Sequence, residues 1–190
     1  HLKGVIMSKR QILIGERVKL VALEKSHLPY RVDFINDPEV QSTLNFDYPT
    51  SLSKTEAWFS KVCLSPIRTE LTVIDIESGS VIGFAGYLDI NYKASKAEHY
   101  IFIGDKKYWS KGFGSETYKL LTNYGFEQLG LNRIYGYQLD DNVKAEKCIL
   151  GLGWTVEGLL RDDVFSHGKI KSRKVISILR DEWLDNNKYD

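Results

Sequence analysis

Lys111, Gly112, Gly114 and Ser115 stand where an anion would bind. They close the stretch 101–115, in which a strand-like run passes through a polar loop straight into a helical run. At such a junction the first backbone N–H groups of the helix lack internal partners, and the helix dipole presents its positive end. Gly112 and Gly114 carry no Cβ, so backbone there can approach a phosphate closely, and Lys111 adds a full positive charge. Two glycines so spaced also suit a plain tight turn, and the surroundings must decide between the readings. Two better-known phosphate loops do not fit. A Walker loop ends in Gly-Lys, whereas Lys111 precedes Gly112. A dinucleotide fingerprint needs a third glycine three residues after the second, and that position is Thr117. An ATPase, a GTPase and an NAD-dependent enzyme are thereby disfavoured.

Periodicity supplies the elements that hold this loop. Over 17–23 apolar residues alternate in a strand pattern, and Ser26 then caps a helix carrying Leu28, Val32 and Ile35. Asp37 and Pro38 break that helix, and 49–53 punctuates the chain before a helical run around Ala57, Trp58 and Val62. These two helices form an early, mobile lobe. Residues 71–76, 81–90 and 97–103 read as three strands of an antiparallel meander, with a hairpin turn at 77–80. The period then changes: Phe113, Thr117, Leu120, Leu121 and Tyr124 share a helical face, Gly130 stops it, and 133–138 is a strand. Residues 142–152 are helical again, and strands at 155–165 and 170–179 flank a turn at His167 and Gly168. The pattern predicts an α+β domain, a mixed sheet with helices on its faces.

Bulk properties narrow the classes. A chain of 190 residues has room for one proper core, so 7–190 reads as a single domain. Residues 1–6 look like an expression remnant ahead of Met7 and lack the features of a signal peptide. With 43% hydrophobic and 27% charged residues and no long apolar run, neither disorder nor a membrane span is expected. The formal charge of +1 offers no footprint for a nucleic-acid backbone. Cys63 and Cys148 form no CxxC pair, which argues against a zinc site or a disulfide framework and for the reducing cytoplasm. No metal is expected.

The run 98–116, from Glu98 through Ile101, Ile103, Lys111, Gly112 and Gly114 to Glu116, resembles the acetyl-CoA-binding motif of GNAT acetyltransferases. Further matches follow in order. Residues 132–135 resemble that family's next strand, and 141–154, with Asn142, Ala145, Leu152 and Gly153, resembles its following helix. The tail, with Glu157, Gly158, Leu160, Asp162, Gly168, Lys169 and 177–183, resembles the branch that holds ribosomal-protein N-terminal and spermidine acetyltransferases. The resemblance implies a mostly antiparallel twisted sheet of about seven strands flanked by about four helices, with splayed middle strands. It also implies acetyl-CoA as co-substrate. Backbone at Ile101, Phe102 and Ile103 would pair with pantetheine as an added strand does. Amides of Lys111, Gly112, Phe113, Gly114 and Ser115 would hold the pyrophosphate, and Asn142 would lie near the thiol end. Where the family loop often opens with Gln or Arg, this chain has Trp109.

Acyl transfer needs the acceptor amine as its free base, and an alkyl amine of pKa ~10.4 is deprotonated only about one part in a thousand at neutral pH. Glu98 matches the carboxylate that related enzymes use as general base, and His99 is the rival, on the opposite face by strand alternation. Many relatives place a tyrosine acid where this chain has Ile149, and the serine of others is Ala145, so no acid carries over. Cys148 adjoins that position but reads as inert core. In the family the segment 27–65 would wall the acceptor pocket, and its Asp33, Asp37 and Asp47 suit a cation or equally surface and capping roles. A polyamine, a protein N-terminus and a nucleotide-linked aminosugar all remain open as acceptors, as does a homodimer. A CoA-sensing module without catalysis is the reading from a different class.

Overall fold

The computed structural model describes residues 12–186. The supposed remnant 1–6 and Met7 lie outside the described residues. A single sheet of seven strands runs in the order β1-β2-β3-β4-β5-β7-β6. Its strands are β1 (Val18–Ala22), β2 (Thr69–Asp75), β3 (Val81–Asn91), β4 (Lys96–Ile103), β5 (Arg133–Leu139), β6 (Thr155–Ser166) and β7 (Lys169–Leu179). All neighbours pair antiparallel except β4 and β5, which are parallel. The α+β expectation therefore holds, as does the splay: β4 and β5 pair only from Lys96↔Arg133 to Glu98↔Tyr135.

Alternation along β4 sorts its side chains between two cores. Ala97, Ile101 and Ile103 face the core shared with α4 (Phe113–Glu127) and α5 (Val143–Gly151), where Leu121, Phe126, Ile134, Ile149 and Ile178 are almost wholly buried. Phe102 faces the other core, where Leu28 and Ile35 of α1 (Leu28–Asn36) and Val40 of α2 (Pro38–Gln41) meet Phe84, with Trp58 and Phe59 of α3 (Leu52–Val62) packed at the margin. Sealing those apolar surfaces on both faces is what holds the sheet and its helices in place.

Among the described residues six α-helices form rather than about four. Asp37 does break α1, but its side chain also accepts from the backbone N–H groups of Glu39 and Val40, and Pro38 stands at the first helical position, so the breaker starts α2. The other unforeseen helix, α6 (Arg180–Asn186), continues directly from β7 and is anchored by buried Trp183, whose indole N–H donates to Asn123 at 2.7 Å.

Candidate functional site

β4 ends at Ile103, and the chain then turns into α4 through a loop pinned at several points. Trp109 donates its indole N–H to the Ile103 carbonyl at 2.7 Å, so the residue that departs from the family's Gln or Arg shapes the loop instead. Gly112 sits in the left-handed region at φ 86°, which favours a residue without Cβ. Arg17, at the approach to β1, clamps the turn: its Nη1 donates to the Lys111 carbonyl at 2.7 Å and its Nε to Glu116 at 3.0 Å. Glu116 also accepts from the Arg17 backbone at 2.8 Å, and these bonds hold its carboxyl below the usual range although burial opposes them. A Cβ on Gly114 would meet only Ile103, at 3.9 Å, so the helix start is open above this glycine. Lys111 is exposed, Phe113 packs edge-on against Tyr108, and the Ser115 hydroxyl lies 3.2 Å from the Cys148 sulfur. Cys148 is thus half-buried beside the loop rather than sunk in the core.

Beyond the short β4–β5 ladder a cleft of about 340 Å³ opens, lined by 98–102, Tyr118, 137–139, Asn142, Ala145, Arg173 and Ile176, with 43–46 across from them. Ile101 and Phe102 line it, and Ile103 lies between the cleft and Gly114. Asn142 opens α5, its side chain accepting from the Ala145 N–H at 3.2 Å. Burial raises the carboxyl pKa of half-buried Glu98, with nearby Asp89 adding to it and Arg173 and Arg68 opposing. Among the described residues lining the cleft, Glu98 is the one carboxylate. Asp33 is exposed, Asp37 pairs with Lys106 at 2.9 Å, and Asp47 pairs loosely with Lys54 at 3.5 Å.

His99 is seated differently. Its imidazole rests on Gly136, where a Cβ would come within 2.6 Å of the ring, and is flanked by Tyr118 and Trp154. Its Nδ1 lies 3.1 Å from the Tyr135 carbonyl, which can only accept, so that nitrogen carries the proton. The bond falls at the last rung of the β4–β5 ladder, making this side chain the wedge at which the strands part. Burial lowers its pKa from 6.5 to about 4, so the ring is neutral at pH 7 and a poor base. Because the unfolded chain takes up that proton at higher pH, the wild type should lose stability as pH falls from 6.5 to about 4, by roughly 3 kcal/mol. Thermal unfolding across that range should show a shallower loss for His99→Gln, which keeps an N–H donor and cannot charge.

The lobe holds a residue that neither spacing nor period singles out. Arg31, 6% exposed, is caged by aromatic rings, closest to Trp58 at 4.5 Å and also within 5.8 Å of Phe46, Phe84, Tyr100 and Phe102. Its Nη1 has no hydrogen-bond partner among the described residues. Tyr100 donates its hydroxyl to Glu70, which also pairs with Arg68 at 2.7 Å. No group of three or more metal-ligating side chains occurs among the described residues, and none of their helices is long and apolar enough to cross a membrane.

Residues 17–155 match the acetyltransferase (GNAT) domain family. An N-acetyltransferase of uncharacterised role from Bacillus licheniformis, p20, is 29% identical over 91% of this chain and 98% of its own. The spermidine N(1)-acetyltransferase of Vibrio cholerae is 25% identical over 92% of this chain and 99% of its own. A crystal structure of the Vibrio cholerae spermidine N-acetyltransferase with CoA and spermine superposes with a TM-score of 0.83 at 26% identity, covering 90% of this chain and 99% of that one.

Proposed function

Because this chain belongs to the GNAT acetyltransferase family, we propose that the cleft between β4 and β5 is where acetyl-CoA and a primary amine meet, with Glu98 as the general base. Acetyl-CoA is the donor and an amine the acceptor. The observation that carries the site is the cleft that holds half-buried Glu98 and reaches along β4 to Phe102, next to the Ile103 that borders the open helix start at Gly114. The residues present fit the donor: a positive helix end without an obstructing side chain for the pyrophosphate, and a β4 edge without a strand partner beyond Glu98 for the pantetheine amides.

In this reading Glu98 removes the proton that an ammonium must lose before nitrogen attacks the thioester carbonyl. Its raised pKa brings it nearer the working range of a base at neutral pH. His99, neutral and bonded through Nδ1, serves as packing. The acceptor end is walled by 43–46, Tyr100 and Phe102. Spermidine is the first acceptor to test, because a relative named for it aligns along nearly its whole length. The lobe favours a second class as well: with Asp33, Asp37 and Asp47 engaged or outside the cleft, a peptide amine with one positive charge finds its counter-charge in Glu98 alone. Free thiols at Cys63 and Cys148 suit a cytoplasmic enzyme.

Calorimetric titration with acetyl-CoA, followed by thiol release over spermidine, peptides and a nucleotide-linked aminosugar, tests the proposal. Binding with turnover on one amine class is expected. Binding without turnover on any amine would point instead to a CoA-sensing module, and the absence of binding would overturn the site.

A further inference from the structure

Expulsion of a thiolate leaves a full negative charge on sulfur, and a leaving-group sulfur in a half-closed cleft needs a hydrogen-bond donor. On α5 the position where many relatives carry a tyrosine is Ile149, wholly buried in the core. Another side chain reaches the cleft from the same side of the sheet. Tyr118 stands on α4, its ring held between His99, centroids 5.4 Å apart, and Trp154, 6.2 Å apart. It lines the cleft, and its hydroxyl, not sealed from it, has no hydrogen-bond partner among the described residues.

Position along the strand tells which part of a bound donor this hydroxyl would meet. Ile103 lies against Gly114 at the pyrophosphate end, and His99 is four residues back along β4, roughly 13 Å. Tyr118 packs on His99, so it marks the closed end, where an arm entering from the glycine loop terminates. Glu98, by alternation, points to the opposite face of the sheet, toward the lobe. The two groups thus flank one point from opposite sides.

We propose that the Tyr118 hydroxyl donates a hydrogen bond to the thioester sulfur as it leaves, a role that rests on the acetyl-transfer reading above. The C–N bond forms from the amine lone pair and the C–S bond breaks with its electron pair going to sulfur. The proton shed by the amine goes to Glu98. Burial, with nearby Cys148 adding to it, raises the phenol far above the ~8.5 of a thiol, so the phenolic proton stays on oxygen and the thiolate takes its own proton from water on release. The titratable groups facing this hydroxyl are His99 from β4 and Cys148 from α5, and the imidazole is neutral at pH 7.

Tyr118→Phe keeps the ring between its neighbours and removes only the donor. It should lower kcat roughly 10- to 100-fold, the worth of one hydrogen bond to a charged group, with Kd for acetyl-CoA and thermal midpoint close to wild type. A readout independent of turnover follows thiolate absorbance of bound coenzyme A: the thiol should titrate lower in wild type than in Tyr118→Phe. Equal kcat together with equal thiol titration would overturn the proposal. Should the variant fail to fold, the wild-type protein decides: a bound thiol titrating at or above ~8.5 removes the donor's role. Failure of the underlying reading looks different, since the wild type would then release no thiol with any amine, whether or not it bound coenzyme A.

Discussion

Gly114→Asp will fold and will not bind acetyl-CoA. The glycine is in the first turn of α4, where an aspartate is favoured by the helix dipole, and its Cβ position is clear of everything but Ile103 at 3.9 Å. The fold therefore loses little. A carboxylate projecting toward a pyrophosphate at about 4 Å costs about 4 kcal/mol at an effective dielectric of 20, near a thousandfold in Kd. Calorimetry beside a thermal melt separates the two effects, and Gly114→Ala, which adds bulk without charge, should fall between. Unchanged affinity in folded Gly114→Asp would remove the loop from the site. Gly112→Asp is a poorer probe. Its φ of 86° strains any side chain, and the new Cβ would sit 2.8 Å from Arg17 Nη2, so lost binding could come from a damaged loop.

Glu98→Gln should cut kcat by roughly 10²- to 10⁴-fold on an alkyl amine while leaving acetyl-CoA affinity unchanged. A peptide α-amine, with pKa ~8, is partly free base already and should suffer less. The wild-type rate should fall as pH drops through the Glu98 pKa, which burial places above the ordinary carboxylate range, and the glutamine variant should lose that limb. Stability moves the other way. Because burial raises this pKa, the folded protein holds the Glu98 proton more tightly than the unfolded chain does, and the fold weakens as pH rises from the unfolded value through the folded one. The variant should therefore melt slightly higher than wild type at pH 7, with the gap closing in acid. Equal turnover by the two proteins on every amine would assign the base elsewhere.

The portion of the site that was legible beforehand is the portion made by contiguous chain. A strand, a glycine loop and a helix start within residues 101–115 are local facts, and the helix that opens at Asn142 is another. What escaped is what folding brings from afar. Arg17 and Glu116 are 99 residues apart, and neither spacing nor period links them. Arg31 looks like one more charge on a helix until five rings from three elements and a loop converge on it. Alternation assigned His99 to its face but could not foresee a seat on Gly136, because that contact depends on the register between β4 and β5. Asp37 was rightly seen as a breaker and as a candidate cap, and what was missed is the short helix α2 that it caps, which the following Pro38 and Glu39 signal.

The parting of β4 from β5 leaves half of a central strand without a neighbour on one side, in the middle of a sheet whose other strands are paired. On the placement proposed above, a donor lying in that gap would complete the sheet as well as supply the acyl group, and the loaded enzyme would be a more fully knitted solid than the empty one. Its melting temperature then reports cofactor supply: at a hundred times Kd the fold gains about 2.7 kcal/mol. A cell short of acetyl-CoA would hold this protein in its looser form, with slowed hydrogen exchange along β4 returning as the pool refills.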